Sequence, residues 1–398
     1  MITYTTSKNP ILGQKERIKM NKPFLTVIMQ NYNAPKDILK EAVLSVINQT
    51  FDKFSFVFLD DWSTDYDITN FFNDWKDKWD TKRPDMPLHL IKKPQSGPLD
   101  YIDYNHGHSF CRNWGLDLVR GAKLSDYVFF ADSDDVLLPN CLELLWANIE
   151  ADPEIDISIG NFTRDEINWN KQLEYYYTNE NPQYDTNIIF TKLQALNILC
   201  DPYMITGYIL NKPSIPFCAT WNKIFKLSLF NDVKFPNYKT KDDNFTAHRL
   251  IWNARKISFS PNVTYFYRPG GKLADSNLYK SMDIADAHRN RVEFFEDIFS
   301  DDIHKLNKIT LENYQDKILI NNILLNEHVI YLYTLMNVYM SCNKESIRKD
   351  CYNEFTYCLQ VWSRELMLSN SRFLKLNFFK RCLEFAEKEK YILWEPTK

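Results

Sequence analysis

Glycine is scarce in this chain, which has only 9 glycines among 398 residues. Glycine-rich phosphate loops need several closely spaced glycines, and neither the G-x-x-x-x-G-K-[ST] pattern nor the G-x-G-x-x-G pattern occurs. The sequence therefore excludes the P-loop and the dinucleotide fingerprint as the means of binding a nucleotide.

Paired cysteines are also missing, because the 8 cysteines are scattered and no two of them form a C-x-x-C pair. Closely paired cysteines are typical of zinc sites and of the disulfide frameworks of small secreted domains. We therefore predict neither a zinc site nor a disulfide framework, and we expect a reducing compartment.

Long apolar runs and clustered basic residues are absent as well. No run approaches the 18 or more apolar residues of a membrane-spanning helix, and residues 1–22 lack the apolar core of a signal peptide. The net charge of -4, without a basic cluster, argues against a nucleic-acid partner. We expect a cytoplasmic protein, either soluble or associated with the cytoplasmic face of a membrane.

Strand and helix patterns alternate from residue 23 onward, which predicts an α/β fold with a mostly parallel sheet covered by helices. Beyond residue 280 the pattern becomes helical. We predict a leader at 1–22, an α/β domain at 23–275 and a helical C-terminal domain at 280–398. The predicted strands are 24–30, 54–59, 88–92 and 127–131, and helices are predicted from Pro35 and over 109–119.

The tetrapeptide Asp-Ser-Asp-Asp at residues 132–135 ends an apolar strand. Buried carboxylates need a positive partner, and a divalent cation that also holds nucleotide phosphates would supply one. The alternative is that Asp134 or Asp135 caps a helix beginning near Pro139. Polar residues at 31–33 and 60–61 follow two other predicted strands. Parallel sheets bind ligands at the carboxyl ends of their strands, which favours the metal site.

Taken in order, the motifs resemble those of the family 2 glycosyltransferases, which have the GT-A fold, depend on nucleotide sugars and invert the transferred sugar. The resemblance covers roughly residues 23–270 and leaves out the helical tail. The matching segments are V-I-M-Q-N-Y-N at 27–33, L-D-D-W-S-T-D at 59–65, C-R-N-W-G-L at 111–116, D-S-D-D at 132–135, W-N-K-I-F-K at 221–226, K-D-D-N-F at 241–245 and Y-F-Y-R at 265–268.

The resemblance implies a UDP-sugar donor and assigns residues to the nucleotide. Asp61 would accept the imide proton of uracil, and Tyr32 would pack against the ring with Asn33 beside it. Arg112 would offer fixed donors to the nucleotide, since a guanidinium suits planar and anionic groups. Arg268 would contact the diphosphate or, alternatively, form a surface ion pair.

The resemblance also implies a metal and a catalytic base. Asp134 would ligate Mn²⁺ or Mg²⁺, which takes up charge on the leaving group, and Asp132 would reach the ribose or the metal. Asp242 would deprotonate the acceptor hydroxyl for direct, inverting displacement. Lys241 replaces the usual acid before the base, so the adjacent Asp243 remains an alternative.

Two further departures and three ambiguous side chains remain. Trp62 replaces a glycine, so either the turn differs or the indole lines the crevice. Cys111 replaces an alanine and is interpreted as packing. His106 and His108 could touch substrate or metal, although solvated loop histidines are the simpler interpretation. Trp221 could stack on a sugar or pack in the core.

The helical tail carries a segment, residues 372–381, that mixes basic and large apolar side chains. This mixture suits either an interfacial helix with peripheral membrane contact or a helix packed on its own domain. The sequence does not indicate an oligomeric state.

We predict a metal-dependent inverting glycosyltransferase in polysaccharide biosynthesis. It would transfer a hexosyl or N-acetylhexosaminyl group from a UDP-sugar to a glycan, lipid-linked glycan, polyol-phosphate polymer or glycoprotein. A sugar-phosphate nucleotidyltransferase is one alternative, but it would need a Gly-, Arg- and Lys-bearing loop at residues 30–35, which have none of these. The other alternative is a catalytically silent glycan-binding or scaffold protein, supported only by Lys241.

Overall fold

The computed structural model describes residues 2–5, 24–92, 107–179, 183–200, 214–237, 239–270, 282–305, 314–368 and 377–388. Its strands are β1 (Ile2–Thr5), β2 (Leu25–Asn31), β3 (Phe54–Asp60), β4 (Leu88–Lys92), β5 (Tyr127–Asp132), β6 (Val136–Leu137), β7 (Ile155–Thr163), β8 (Ile188–Phe190), β9 (Lys223–Lys226) and β10 (Lys256–Phe266). Its helices are α1 (Lys36–Ile47), α2 (Phe72–Lys82), α3 (His108–Gly121), α4 (Cys141–Ala151), α5 (Glu166–Thr178), α6 (Lys192–Leu199), α7 (Ser214–Cys218), α8 (Asp242–Asn253), α9 (Asp283–Lys305), α10 (Tyr314–Ser341), α11 (Glu345–Leu368) and α12 (Asn377–Lys388).

The chain divides into two compact units. We call the first the sheet unit, which comprises Met1–Lys192, Ala219–Lys239 and Arg249–Gly271. We call the second the helical unit, which comprises Leu193–Cys218, Thr240–His248 and Lys272–Lys398. The domain boundaries predicted from the sequence, 23–275 and 280–398, remain predictions.

The sheet of the first unit is mixed, with strand order β1-β4-β3-β2-β5-β9-β7-β10-β6 and with β8 paired to β10. Strands β4, β3, β2 and β5 run parallel, whereas β9 is antiparallel to both of its neighbours. The predicted α/β class is confirmed: a mixed, mostly parallel sheet flanked by helices, with a helical C-terminal region. The segment 1–22, predicted as a loose leader, contributes β1, which pairs antiparallel with β4.

The central strands β2 and β3 are buried along their whole length, which is why they read as continuous apolar runs. Their register places Asn31 opposite Asp60, and the register of β2 with β5 places Gln30 opposite Asp132. Three polar strand ends predicted to converge therefore lie side by side at one edge of the sheet.

Helix α3 packs against β2 and β3, and it does so closely because Gly115 has no side chain. A Cβ at Gly115 would lie 2.6 Å from Ile28 Cγ2 and 3.4 Å from Leu59 Cδ1. This clash explains in physical terms why the segment C-R-N-W-G-L carries a glycine. It also fixes the depth at which α3 presents its N-terminal residues to the strand ends.

The core of the helical unit is formed by α9, α10, α11 and α12. Cys382, Phe385 and Ala386 of α12 are buried in this core, and Arg381 Nη1 donates to the hydroxyl of Tyr333 at 3.1 Å. These contacts favour the interpretation of α12 as a helix packed within its own unit. The first part of the segment 372–381, up to residue 376, lies outside the described residues.

The cysteines and the hydropathy of the helices complete the description of the fold. All eight cysteines are free thiols in this structure, and seven of them are buried. In the part of the chain that the structure describes, no helix combines the length and the apolar character needed to cross a bilayer.

Candidate active site

The turn after β3 is held together by Asp60, the first carboxylate of the pair at 60–61. Asp60 is fully buried, and its Oδ1 accepts hydrogen bonds from Asn31 Nδ2 at 2.8 Å and from Ser63 Oγ at 2.6 Å. Its Oδ2 accepts the Ser63 amide at 3.1 Å, while burial raises the pKa of the carboxyl above its usual value. Asp60 therefore organises the loop, and the ligand-binding role of the pair is predicted for Asp61 alone.

Trp62 occupies a backbone conformation with φ of 70°. This left-handed region is the one in which glycine is free of the Cβ penalty, so the family's glycine and this tryptophan serve the same turn. The first of the two sequence-based interpretations, a different turn, finds no support in this geometry. The backbone is therefore strained at Trp62, directly after Asp61.

Asn33 also closes the same loop. Its side-chain Oδ1 accepts hydrogen bonds from the backbone amides of Thr64 at 2.8 Å and Asp65 at 3.1 Å. The backbone amide of Asn33 donates to Ser63 Oγ at 2.9 Å. The neighbouring Tyr32 has 41% of its surface exposed, as a stacking platform requires. The nucleotide-binding roles of both residues remain predictions.

Asp61 is positioned by two backbone contacts. Its amide donates to the carbonyl of Asn31 at 2.8 Å, and its Oδ2 accepts the amide of Gly107 at 2.9 Å, just before α3. The residue is only 3% exposed. These contacts fix the orientation of Asp61 at the end of β3.

Asp132, at the end of β5, accepts hydrogen bonds from β2 and α3. Its Oδ1 lies 2.8 Å from Gln30 Nε2 and 3.4 Å from Arg112 Nη2. Arg112 is buried and its guanidinium lies 5.5 Å from the ring centre of Phe235. The structure thus brings Arg112 and Asp132 together as an ion pair, with His108 Nδ1 3.3 Å from Gln30 Nε2.

Arg268 follows β10 and braces the loop of residues 132–135. Its amide donates to Asp135 Oδ1 at 2.9 Å, and its Nε donates to the carbonyl of Asp134 at 2.9 Å. Its Nη2 lies 2.6 Å from Glu41 Oε2, which realises the ion-pair alternative. Contact with a diphosphate remains a prediction for this residue.

The helix-cap interpretation of Asp134 and Asp135 is wrong. Helix α4 begins at Cys141, and the residue at its cap position is Asn140. The amide of Asp135 instead bonds back to the carbonyl of Asp132 at 3.4 Å, so the carboxylates lie in a tight turn after the strand.

The electrostatics of this turn are unfavourable for the isolated protein. Burial, and then repulsion by Asp132, raise the pKa of Asp134, and the same causes together with Asp134 raise that of the buried Asp135. The hydroxyl of Tyr265 bonds to Asp135 and offsets part of this cost. A divalent cation would remove the repulsion, so the donor set fits a hard metal ion.

A complete metal cage is not preformed. Within the described ranges, no three His, Cys, Asp or Glu side chains are grouped closely enough to hold an ion by themselves. Magnesium commonly binds through one or two carboxylates plus substrate phosphates. Asp134 and Asp132 fit that incomplete type of site.

Trp221 belongs to an aromatic cluster near these carboxylates. Its ring stacks on Tyr265 at 4.9 Å and on Tyr267 at 5.0 Å, and it is 7% exposed. These contacts favour the interpretation of Trp221 as a packing residue. Asn222, with φ of 55°, donates from Nδ2 to the carbonyl of Asn161 at 3.0 Å, so the W-N-K segment is structural here.

Sequence reasoning missed three residues that support the site. Gln30 holds Asp132, as described above, and its place in V-I-M-Q-N-Y-N was an available signal. Tyr265 reaches Asp135 from β10. Asn113, which follows Arg112 in α3, exchanges two hydrogen bonds with the backbone of Phe235, at 2.8 and 3.0 Å.

The two candidate bases lie at the start of α8, in the segment grouped with the helical unit. Asp242 is buried, and its Oδ1 accepts the amide of Asp243 at 3.1 Å. Asp243 is half-buried, and its Oδ1 accepts the amide of Asn244 at 2.9 Å. Both side chains are thus tied to the first turn of the helix, and the choice of Asp242 remains a prediction.

Comparison with known proteins identifies the class. The model of the family described as Glycosyl transferase family 2 matches residues 99–233. Glycosyltransferase GlyG of Streptococcus pneumoniae is 25% identical over 287 residues, covering 70% of this chain and 80% of that protein. An uncharacterized glycosyltransferase of Haemophilus influenzae is 26% identical, covering 66% and 86% respectively.

These matches make the protein a glycosyltransferase. More particularly, residues 99–233 match the family 2 model, which supports the resemblance noted in the sequence. Among solved structures, Staphylococcus aureus TarS in complex with UDP-GlcNAc is similar with a TM-score of 0.46 and 18% identity. That similarity covers 86% of this chain and 92% of the TarS chain.

Proposed function

We propose that this glycosyltransferase is metal-dependent and inverting, and that it moves a sugar from a UDP-sugar to a hydroxyl group. The acceptor would be a glycan, lipid-linked glycan, polyol-phosphate polymer or glycoprotein. The observation that carries the proposal is the alignment of the ends of β2, β3 and β5. In that alignment Asp61 and Asp132 lie at the carboxyl ends of the two parallel strands that flank β2, and Arg112 is paired with Asp132.

The first part of the proposal, the sugar donor, rests on Asp61 and Arg112. Asp61 is buried and oriented by the amide of Gly107, so it presents a charged acceptor that suits the imide N–H of uracil. Arg112 presents fixed N–H donors beside Asp132. Tyr32, adjacent to this loop and exposed, would pack against the base.

The second part of the proposal, the metal, rests on the clustered carboxylates. Asp134 and Asp132 would hold Mn²⁺ or Mg²⁺ together with the diphosphate, since their mutual repulsion is what a cation would relieve. A bound metal would supply charge stabilisation to the departing diphosphate. The chain's own contribution is to hold both carboxylates in place, through Gln30 on Asp132 and Arg268 on the backbone of Asp134.

The third part of the proposal, activation of the acceptor, rests on the carboxylate pair of α8. Asp242 would take the proton from the attacking hydroxyl and so permit direct displacement with inversion. The two side chains point about 100° apart on the helix, because successive residues turn by that angle, so one of them would serve as the base.

A panel of nucleotide sugars tests the proposal. We expect metal-dependent hydrolysis or transfer with a UDP-sugar, loss of turnover in excess EDTA, recovery with Mn²⁺, and an inverted anomeric configuration by NMR. Asp242→Asn should lower kcat by about 10²–10⁴-fold with little change in donor affinity, and Asp243→Asn should be milder. Asp65→Asn, at an exposed carboxylate in the loop after β3, is the control.

Each part can fail separately. Undiminished turnover in EDTA would contradict the metal dependence. A retained anomeric configuration in the product would contradict direct displacement. The reverse order of the two α8 variants would move the base to Asp243. A folded protein that neither hydrolyses nor transfers any donor would be a silent glycan-binding protein.

A further inference from the structure

We infer that Asp283, the first residue of α9, is a positioning residue for Asp242. The inference rests on the proposed function, in which Asp242 is the catalytic base. Asp283 lies 41 positions after Asp242, yet its carboxylate binds the residue two positions before the base, within the same compact unit.

The contact is bidentate on the donor side. Asp283 Oδ2 accepts the backbone amide of Thr240 at 3.0 Å and the hydroxyl of Thr240 at 2.8 Å. Two bonds from one residue to one charged oxygen fix both the backbone and the side-chain rotamer of Thr240. Hydrogen bonds to an ionised acceptor are stronger than those between neutral groups.

The backbone between Thr240 and Asp242 is strained. Lys241 has φ of 60°, a left-handed conformation that is unfavourable for a residue with a Cβ atom. Such conformations persist where neighbouring contacts hold them. The next helical bond, from the Asn244 amide to the Lys241 carbonyl at 3.0 Å, starts α8 directly from this strained residue. Holding Thr240 therefore sets the point at which Asp242 enters the helix.

Helix α9 is itself a firmly held support. Arg291 Nη2 lies 2.9 Å from Glu327 Oε2, and His288 Nδ1 lies 2.5 Å from Glu327 Oε1, with all three side chains buried. Arg291 Nη2 also lies 3.2 Å from Cys200 Sγ. These contacts tie α9 to α10 and to the end of α6, so Asp283 is presented by a helix that cannot easily shift.

Precise placement of a base is worth a large rate factor, because a displacement of about 1 Å can cost about a hundredfold. Without Asp283, the turn at Lys241 could relax and carry Asp242 away from its working position. Donor binding, which the proposed function assigns to residues of the sheet unit, would be unaffected. The signature of a positioning role is therefore a loss in kcat without a change in donor affinity.

Kinetics of the full-length chain with a UDP-sugar and acceptor test this inference. Asp283→Ala should lower kcat about 10–100-fold, with unchanged affinity for UDP by titration calorimetry. Asp283→Asn retains an acceptor oxygen and should stay within a few-fold of the native kcat. Asp286→Ala removes another acidic residue from the first turn of the same helix and should leave kcat unchanged.

A double variant separates positioning from general stability. If Asp283 acts through the base, Asp283→Ala should cause little further loss in the Asp242→Asn background. An additive loss, or a native kcat for Asp283→Ala, would overturn the inference. Should Asp283→Ala fail to fold, Thr240→Val carries the test: it removes one of the two bonds and should lower kcat with the UDP affinity unchanged, whereas a native kcat would overturn the inference.

The outcome is distinguishable from failure of the proposed function. If Asp242→Asn retains full activity, the assignment of the base is wrong and Asp283 has nothing to position. If Asp242→Asn is inactive while Asp283→Ala is fully active, only the positioning role is wrong.

Discussion

Carboxylates are buried in both units of this protein, and their surroundings differ. In the helical unit, Glu327 is fully buried between Arg291 and His288. Burial alone would raise the pKa of its carboxyl, but Arg291 and His288 outweigh burial and lower it. The charges of this cluster are therefore balanced by its own neighbours.

In the sheet unit, the carboxylates of residues 132–135 remain unbalanced. Burial and mutual repulsion raise the pKa values of Asp134 and Asp135. Arg268 reaches this turn mainly through its amide and Nε, while its Nη2 bonds to Glu41. A balanced buried cluster is what a scaffold needs, whereas several carboxylates with raised pKa values in one turn mark a candidate functional site. The two clusters of this chain therefore differ in the way that structural and candidate functional sites differ.

The largest effect is expected from a substitution in the unbalanced cluster of residues 132–135. Asp134→Asn should lower transfer about a thousandfold, the equivalent of about 4 kcal/mol, because a metal-supported step loses one of its few protein ligands. The same change should raise the melting temperature slightly, since it removes a repelling charge. Steady-state kinetics and thermal unfolding measure both.

The control for that prediction is Asp65→Asn, which should change neither quantity. A drop in melting temperature for Asp134→Asn, or activity close to that of the native protein, would show that the cluster is not strained in the way its pKa shifts indicate.

The next largest effect is expected from a substitution in the balanced cluster around Glu327. Glu327→Ala leaves Arg291 and His288 buried without their partner, and we expect a loss of about 3–5 kcal/mol in the free energy of unfolding. Glu384→Ala removes an exposed pair with Lys380 and should cost less than about 1 kcal/mol. Equal effects in urea denaturation would contradict the distinction between the two kinds of pair.

A smaller effect sharpens the assignment of Asp61. Its carboxylate can accept the imide proton of uracil but repels the lone pair at the matching position of cytosine. We expect UDP to bind at least about tenfold more tightly than CDP, about 1.4 kcal/mol, by titration calorimetry. Asp61→Asn should narrow this ratio, and equal affinities in the native protein would remove Asp61 from base recognition.

The smallest effect concerns pH. Burial lowers the pKa of His288 below its ordinary value of 6.5, so the unfolded chain takes up a proton before the folded chain as pH falls. The free energy of unfolding should therefore decrease as pH falls below 6.5. Burial also lowers the pKa of the half-buried His89, which acts in the same direction, so His288→Gln should remove part of the dependence.

The raised pKa values of Asp134 and Asp135 act oppositely. Their folded carboxyls take up protons at higher pH than the unfolded ones, so stability should increase as pH falls through their folded pKa values. Melting temperatures of the native protein, His288→Gln and Asp134→Asn across pH 5–8 measure these slopes. A native slope that survives unchanged in His288→Gln would contradict the role of that residue.

The sequence predicted the sheet edge well because the signals were local. Apolar runs ending in polar residues placed β2, β3 and β5, and parallel topology then required Asn31, Asp60 and Asp132 to lie together. The predicted strand 54–59 ends one residue short of the observed β3 because Asp60 is buried as part of the strand. Trp62 shows how a departure in sequence can leave a turn intact.

The contacts that brace the site could not be predicted because they join distant parts of the chain without a motif. Arg268 binds Glu41 across 227 positions, and Thr240 binds Asp283 across 43. Apolar periodicity reveals which face of a helix is buried but not which helix covers it. The grouping of residues 193–218 with the C-terminal helices depends on such long-range contacts.

The two units are interleaved along the chain, and this arrangement limits how the protein can be truncated. The chain leaves the sheet unit at residue 193, returns at 219, leaves again at 240 and returns at 249 before the C-terminal helices begin. Cutting near residue 277 would strand Cys200 and Thr240 without the helix that binds them through Arg291 and Asp283. The helical region is therefore not a detachable module, and grafting a new one onto this enzyme would require exchanging three segments together.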